Sequence, residues 1–455
     1  MFTMHFIQKN YHKKIFNLIK KIFPFNRSLT GNGNRKTLYE LKKIIKNLKI
    51  IEYKSGKKVF DWVIPPEWNV TDAFIKYDNK KIINFNKNNL HLMGYSQPIN
   101  KTMYLKDLKK HLFTDKENIE AIPYVTSYYK KNWGFCISEI QKKKLKSKKK
   151  YEVFIDTKFN KNGSLSLGEL LIKGKSKKEI LLSTNICHPS MANHELAGPA
   201  ILTFISKYLL MKKRYYSYRI LFLPETVGTI SYLFYNLNKI KENFISGFHL
   251  TCLGSDGNYS MIQTKYKNSY SDYVAKSILN QKKNKKIYPF QNCGSDERQY
   301  NFPGVNLPVV TLTRSLFGEF KEYHTSLDNL KNLKLKAIKD SFSFIKSIVD
   351  YLENNSENFL NFQIKNFNKI IDPKIKKSKK YFANTKCEPF LSKRNLYRSI
   401  SKKYLSKSEK YLFQTLYYSD GLTIDQIANN TKIKLKNLYP IINLLKKNKL
   451  IKIKL

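Results

Sequence analysis

At 455 residues, with 42% hydrophobic and 14% aromatic content, the chain is long enough for about three domains and too apolar for a disordered polypeptide. Its five widely spaced cysteines (Cys136, Cys187, Cys252, Cys293 and Cys387) contain no CxxC pair, which excludes a disulfide framework and fits a reducing cytoplasm. The formal charge of +50 points to nucleic acid or an anionic surface, yet Lys, Asn, Ile, Tyr and Phe are over-used together, so most of it reads as compositional background.

In chain order, residues from about 8 to 53 read as two helices around the turn SLTGNGNR (Ser28–Arg35), the second carrying Leu38, Leu41, Ile44, Ile45 and Leu48 at helical spacing. The turn lacks the Gly-Lys-Ser/Thr of a P-loop. The N-terminus is a basic amphipathic stretch without the apolar core of a signal peptide, and it is expected to pack on its own domain. No run of 18 apolar residues occurs, so no membrane span is expected.

Residues 54–157 read as a small, mostly β module. Short strands are expected at Val59–Trp68, Asp72–Tyr77, Lys81–Phe85, Ala121–Tyr129, Gly134–Ile137 and Tyr151–Asp156, with a helix near Leu105–Leu112 and a solvated Lys-rich run at Gln141–Lys150. From Ser164 to Asn354 strands and helices alternate. Strands are expected at Ser166–Ile172, Glu179–Thr184, Tyr218–Leu223, Ile245–Cys252 and Asn306–Leu312, and a closing helix at Leu333–Glu353. Such alternation predicts a mostly parallel sheet covered by helices. A poorly patterned linker follows Asn355. The tail then gives helices at Lys407–Tyr417, Thr423–Asn429 and Leu435–Asn448 and a strand at Leu450–Leu455, the order of a winged helix. Few apolar patterns cross the linker, so this module is expected to fold separately.

Chemistry concentrates where parallel strands end. The apolar run Ile180–Leu182 leads into a loop carrying Cys187, His188, Asn193, His194 and Glu195, and two imidazoles in one loop suggest a metal. Glu225 ends the YRILFLPE strand, where a carboxylate serves as metal ligand or general base. Asp296 and Arg298 lie in GSDER before the last strand, and His324 and Asp328 follow it. His324 is a candidate ligand, and Asp328 is expected to cap the helix that begins near Asn329.

These motifs, CHPSMANHELAGP (Cys187–Pro199), PETVGTISYL (Pro224–Leu233), GSDERQY (Gly294–Tyr300) and EYHTSLDNL (Glu322–Leu330), resemble the aminopeptidase-like proteins often encoded among bacterial polysaccharide-biosynthesis genes. That family is distantly related to the zinc-dependent exopeptidases, and the resemblance covers nearly the whole chain. It implies an α/β fold whose mostly parallel sheet is flanked by helices, with an N-terminal helical part at 1–53, an inserted β domain at 54–157, the main domain at 158–380 and a winged helix at 395–455. By the resemblance, His188 and His324 bind zinc and Glu225 activates water. Where the exopeptidases have a bridging Asp this chain has His194, and their second adjacent Glu is Thr226 here. His194 is then a third ligand, Asp256 the only carboxylate available after the next strand, and one zinc is expected where the exopeptidases hold two; two stay open. Asp296, Arg298 and Asp256 are expected to contact substrate.

The function implied is hydrolysis of a peptide, aminoacyl or other amide bond in a surface-glycan context. Two alternatives stand beside it: a binding or regulatory protein that has lost activity and uses the winged helix on DNA or protein, and a hydrolase of amides or esters on modified sugars. A homodimer stays open.

Overall fold

A computed structural model describes residues 10–367, 379–398, 400 and 405–454. The eight strands of its central sheet are β1 (Lys49–Lys54), β2 (Ser164–Ile172), β3 (Glu179–Asn185), β4 (Ser217–Leu223), β5 (Phe244–Leu250), β6 (Tyr259–Ile262), β7 (Lys285–Tyr288) and β8 (Val309–Thr313), in the order β1-β2-β4-β3-β5-β8-β6-β7. The middle four, β4, β3, β5 and β8, are mutually parallel; β2 joins β4, β1 joins β2 and β6 joins β8 in antiparallel pairs. The sheet is therefore mixed: parallel at its centre, antiparallel where β2 and β6 join it, with β6 and β7 again parallel to each other. Strands β6 (YSMI) and β7 (KKIY) are four residues each and mix polar with apolar side chains, so neither shows as an apolar run.

Successive residues of the central strands point to opposite faces. Ile180, Leu182, Ile220 and Phe222 enter one core with helices α1 (Tyr11–Ile22), α2 (Asn32–Ile44), α3 (Ala197–Leu209), α5 (Tyr270–Leu279) and α6 (Leu335–Asn354). Leu181, Leu221 and Leu223 enter the other, beneath α4 (Val227–Asn243) and the inserted domain. Helix α1 buries Ile15, Leu18, Ile19 and Ile22, so from Tyr11 on the basic N-terminal stretch packs on its own domain; its first nine residues lie outside the described ones. At the start of α3, Gly198 lets the helix press on the sheet: a Cβ there would lie 2.4 Å from Thr184 Oγ1.

The insertion leaves the sheet after β1 and returns at β2, so it runs from Ser55 to Gly163, several residues beyond the expected end at 157. Its sheet pairs Glu67–Tyr77 with Lys80–Asn84 and Lys150–Asn160, and Lys150–Asn160 with Ile99–Tyr104. The expected strand at Ala121–Tyr129 is instead irregular chain. Pro123 bridges Thr325, Tyr124 N donates to His324 O (2.8 Å) and Ser326 N donates to Ile122 O (2.9 Å). Of that segment's side chains, Tyr124 faces His188 and His324 of the main domain, while Ile122 and Val125 pack with Leu90, Met93 and Cys136 of the insertion and with Met191.

The C-terminal module has helices α7 (Lys407–Tyr418), α8 (Ile424–Thr431) and α9 (Leu435–Lys447) and a three-stranded sheet, Lys380–Ala383 paired on either side with Asp420–Leu422 and Ile451–Lys454. It therefore begins near residue 379 and not at 395. The expected linker contains a helix, Asn358–Phe367, before the undescribed residues 368–378. The module is docked, contrary to the reading of a separate unit. Phe290 and Phe302 of the main domain share a core with Tyr381, Leu416 and Tyr417, and the buried Lys265 ammonium pairs with Asp420 (2.7 Å). Isolated aromatic residues in loops make this contact, and they leave no periodic trace in a sequence.

Candidate metal centre

Three strand-end loops meet at the carboxyl edge of the sheet, where β3, β4 and β8 deliver their following residues. His188 lies three residues past β3. His194 sits in a single π-helical turn, Ala192–Leu196, that opens into α3. Such turns interrupt the regular ladder and recur at functional sites. His324 lies on the long loop after β8 with φ of +55°, and Thr226, beside Glu225, has φ of +62°. A β-branched residue in that region is a true outlier, held there by its surroundings.

The imidazoles of His188, His194 and His324 each offer a nitrogen within 4.8 Å of the others. His194 Nε2 and His324 Nε2 are 3.1 Å apart. Nitrogens at 2.0–2.1 Å from one tetrahedral zinc stand roughly 3.3 Å apart, so this spacing fits a shared cation. The ring of His188 is oriented by Glu195, whose Oε2 accepts from Nδ1 (2.8 Å) while Oε1 accepts the His188 amide (2.9 Å). Its Nε2 then faces Glu225 Oε2 at 3.8 Å. A carboxylate behind a ligating histidine fixes tautomer and raises basicity. Behind the loop, buried Arg27, the residue before the SLTGNGNR turn, donates Nε–H to His188 O (2.9 Å).

His194 is placed from its backbone. Both Asp328 oxygens are used, Oδ1 accepting from Asn193 N (2.6 Å) and Oδ2 from His194 N (2.8 Å). Asp328 thus caps the π turn and not the helix that follows it in sequence; α6 begins only at Leu335. Cys252 Sγ lies 3.4 Å from His194 Nδ1. Tyr323 stacks on His324 with centroids 4.0 Å apart, and Tyr124 of the insertion stands 4.9 Å from His188 and 5.3 Å from His324.

The charges follow from burial. Burial, then the His324 and His188 rings, holds His194 well below the ordinary imidazole range, so it is a neutral donor. Burial opposes the charged form of His188, but Glu195 and Cys187 outweigh it and raise its pKa. Burial raises Glu225, with His188 and Arg298 partly compensating. Burial also pushes Asp328 up to about 6 against its three backbone donors.

The remaining predicted residues divide. Asp296 is fully buried and accepts from Thr226 N (2.8 Å) and Thr229 Oγ1 (2.6 Å), which braces the Glu225 turn. Arg298 donates to Ser295 O (2.9 Å) and pairs with Glu388 at 3.5 Å. Asp256 takes no part in the cluster: its exposed carboxylate pairs with Lys334 at 2.5 Å. Sequence reasoning named Glu195 in the loop but gave it no role, and it missed Ser295, whose Oγ donates to Glu225 Oε1 (2.7 Å). The signal for Glu195 was its place seven residues after His188, within reach if the loop folds back.

Residues 16–355 match the model of a family described as a domain of unknown function (DUF4910), and residues 379–453 match a winged helix-turn-helix model. A protein of Clostridium acetobutylicum named as a polysaccharide biosynthesis protein with aminopeptidase-like domain is 42% identical over 411 residues, 90% of this chain and 88% of that protein. A crystal structure from Clostridium acetobutylicum, named as a peptidase, aligns with a TM-score of 0.73 at 38% identity over 98% of both chains. The zinc aminopeptidase BSAP of Bacillus subtilis has a similar fold at 11% identity, with a TM-score of 0.56 over 75% of this chain and 94% of its own. The chain belongs to the DUF4910 family of aminopeptidase-like proteins, with the winged helix its C-terminal module.

Proposed function

We propose that the chain is a zinc-dependent hydrolase of a peptide, aminoacyl or other amide bond, acting in a surface-glycan biosynthetic setting. The observation that carries this reading is the convergence of three imidazoles from two separate loops, with the Glu225 carboxylate facing them. His188, His194 and His324 would hold one zinc and leave a fourth position open. His194 stands where a bridging carboxylate is needed for a second ion, and Thr226 offers no adjacent carboxylate, which favours one zinc over two. Zinc bound there supplies a Lewis acid that polarises a carbonyl and lowers the pKa of water.

The chain's own groups do the rest. Ser295 fixes one oxygen of Glu225 and leaves Oε2 toward the imidazoles, where it takes a proton from the attacking water and returns it to the leaving amine. Glu195 keeps His188 in the tautomer that presents Nε2. Tyr124 and Tyr323 wall the site and exclude bulk water. Arg298, 17% exposed beside Thr226, is the group for an anionic end of the substrate. Elemental analysis of chelator-free protein tests the metal, and hydrolysis of aminoacyl amides against N-acyl sugars tests the substrate class. Metal-free protein of full stability would end this reading.

A second reading, nucleic-acid binding, is favoured by the solvent face of α9, which exposes Lys436, Tyr439, Asn443, Lys446 and Lys447. Binding of duplex DNA by the full chain, steeply weakened by salt, would support it.

A further inference from the structure

Behind Glu225 and Ser295 runs a buried polar chain whose further members, His249 and Ser183, hydrolysis as described above leaves unused. His249, on the central strand β5, has no exposed surface. Its Nδ1 lies 3.0 Å from Ser183 Oγ on β3, and its Nε2 lies 3.0 Å from Ser295 Oγ. Ser295 Oγ is in turn 2.7 Å from Glu225 Oε1, and Asn185 Nδ2 reaches the same hydroxyl at 2.8 Å.

The protons in this chain can be counted. A serine hydroxyl carries one hydrogen, and a carboxylate oxygen can only accept. The Ser295 hydrogen therefore lies toward Glu225. The Asn185 amide nitrogen can only donate to the Ser295 oxygen, and that leaves one lone pair. His249 Nε2 must fill it as a donor. In a neutral imidazole the other nitrogen is then an acceptor, and Ser183 O–H supplies its hydrogen. All bonds run one way, from Ser183 through His249 and Ser295 to Glu225.

We propose that His249 is a positioning residue that acts through Ser295 to hold Glu225 Oε1 as a pure acceptor and so turn Oε2 toward the three imidazoles. This rests on Glu225 being the base proposed above, but the arrangement of protons is its own observable. An isolated histidine in a sheet core would be satisfied by any two partners. Here both ring nitrogens are used, and one leads to the reacting carboxylate. Losing the ring would leave Ser295 free to rotate its hydrogen away from Glu225, and unpaired buried groups of this kind are costly.

The test is histidine-selective nitrogen NMR of the full chain, with and without zinc added, His249 being assigned by the signal lost in His249→Gln. The expected spectrum shows His249 protonated at Nε2 and bare at Nδ1. Glu225→Gln should then shift the His249 Nε2 resonance through Ser295, and Ser295→Ala should remove that response. A proton on Nδ1, or an Nε2 signal indifferent to Glu225→Gln in protein whose melting temperature is unchanged, would overturn the proposal. Failure to bind zinc with the expected proton pattern intact would sink the hydrolase and leave the His249 linkage standing.

Discussion

Glu388→Gln is the most informative single change, because Glu388 joins three parts of the molecule. Its carboxylate is buried, accepts from Gln299 Nε2 (2.6 Å) and Tyr417 O–H, and faces Arg298 Nη1 at 3.5 Å. Its backbone oxygen accepts from Trp62 Nε1 of the insertion (2.7 Å). Removing one member of a well-buried ion pair costs about 3–5 kcal/mol. The 3.5 Å separation and the bonds Arg298 keeps to Ser295 and Thr226 weaken this case, and ~2 kcal/mol is expected, near the worth of a hydrogen bond to a charged group. The assay is urea unfolding followed by the fluorescence of Trp62, which stacks on Phe390 at 4.5 Å; subtracting the Trp62→Phe spectrum isolates its signal. The C-terminal module should undock before the sheet melts, so the Trp62 transition should move to lower urea. A change under ~0.5 kcal/mol, or a Trp62 transition that stays with the main one, would refute the view of Glu388 as a clasp.

Glu225→Gln should leave zinc bound while hydrolysis falls by ~10²–10⁴-fold, the usual worth of positioned acid–base catalysis; joint loss of zinc and activity would make Glu225 a ligand. His188→Ala and His324→Ala should each abolish stoichiometric zinc in elemental analysis, and Glu195→Gln should weaken zinc affinity by ~10–100-fold through His188. Truncation after Ser401 uncovers Phe290 and Phe302 and strips Lys265 of Asp420, so the melting temperature should drop; an unchanged value would show that the module adds nothing. Arg35, hydrogen-bonded to Glu67, holds that carboxyl down to about 2, below its unfolded value near 4.5. The pair's stabilisation is therefore present above about 4.5 and lost as pH falls toward about 2, and Arg35→Gln should flatten the stability profile in that window.

How much of this was legible beforehand varies by residue. His188, Glu225 and His324 could be read because each follows an apolar run that only a buried strand explains. The roles of Glu195 and Asp328 could not, because the target of a short carboxylate depends on how two loops fold onto each other. Asp328 looked like a cap for its own helix and instead grips the turn that carries His194, 134 residues away. Asp256 had the right residue type after the right strand, but the chain turns it out to Lys334. Strands β6 and β7 escaped because each is only four residues long: β6 is buried but reads Tyr-Ser-Met-Ile, too short for a pattern, and the edge strand β7 begins with two exposed lysines and looks like a loop. The docking of the C-terminal module rests on single aromatic side chains, which carry no period.

The backbone stitching between Ile122–Tyr124 and His324–Ser326 has a consequence for how such a protein can change over generations. An inserted domain attached only by its two ends can be lost or exchanged in one step. This one lends hydrogen-bonding groups to the loop that carries His324 and sets a tyrosine against two of the imidazoles. A lineage that discarded the insertion would have to rebuild that loop in the same step. Insertion and imidazole cluster are therefore expected to be inherited together or abandoned together.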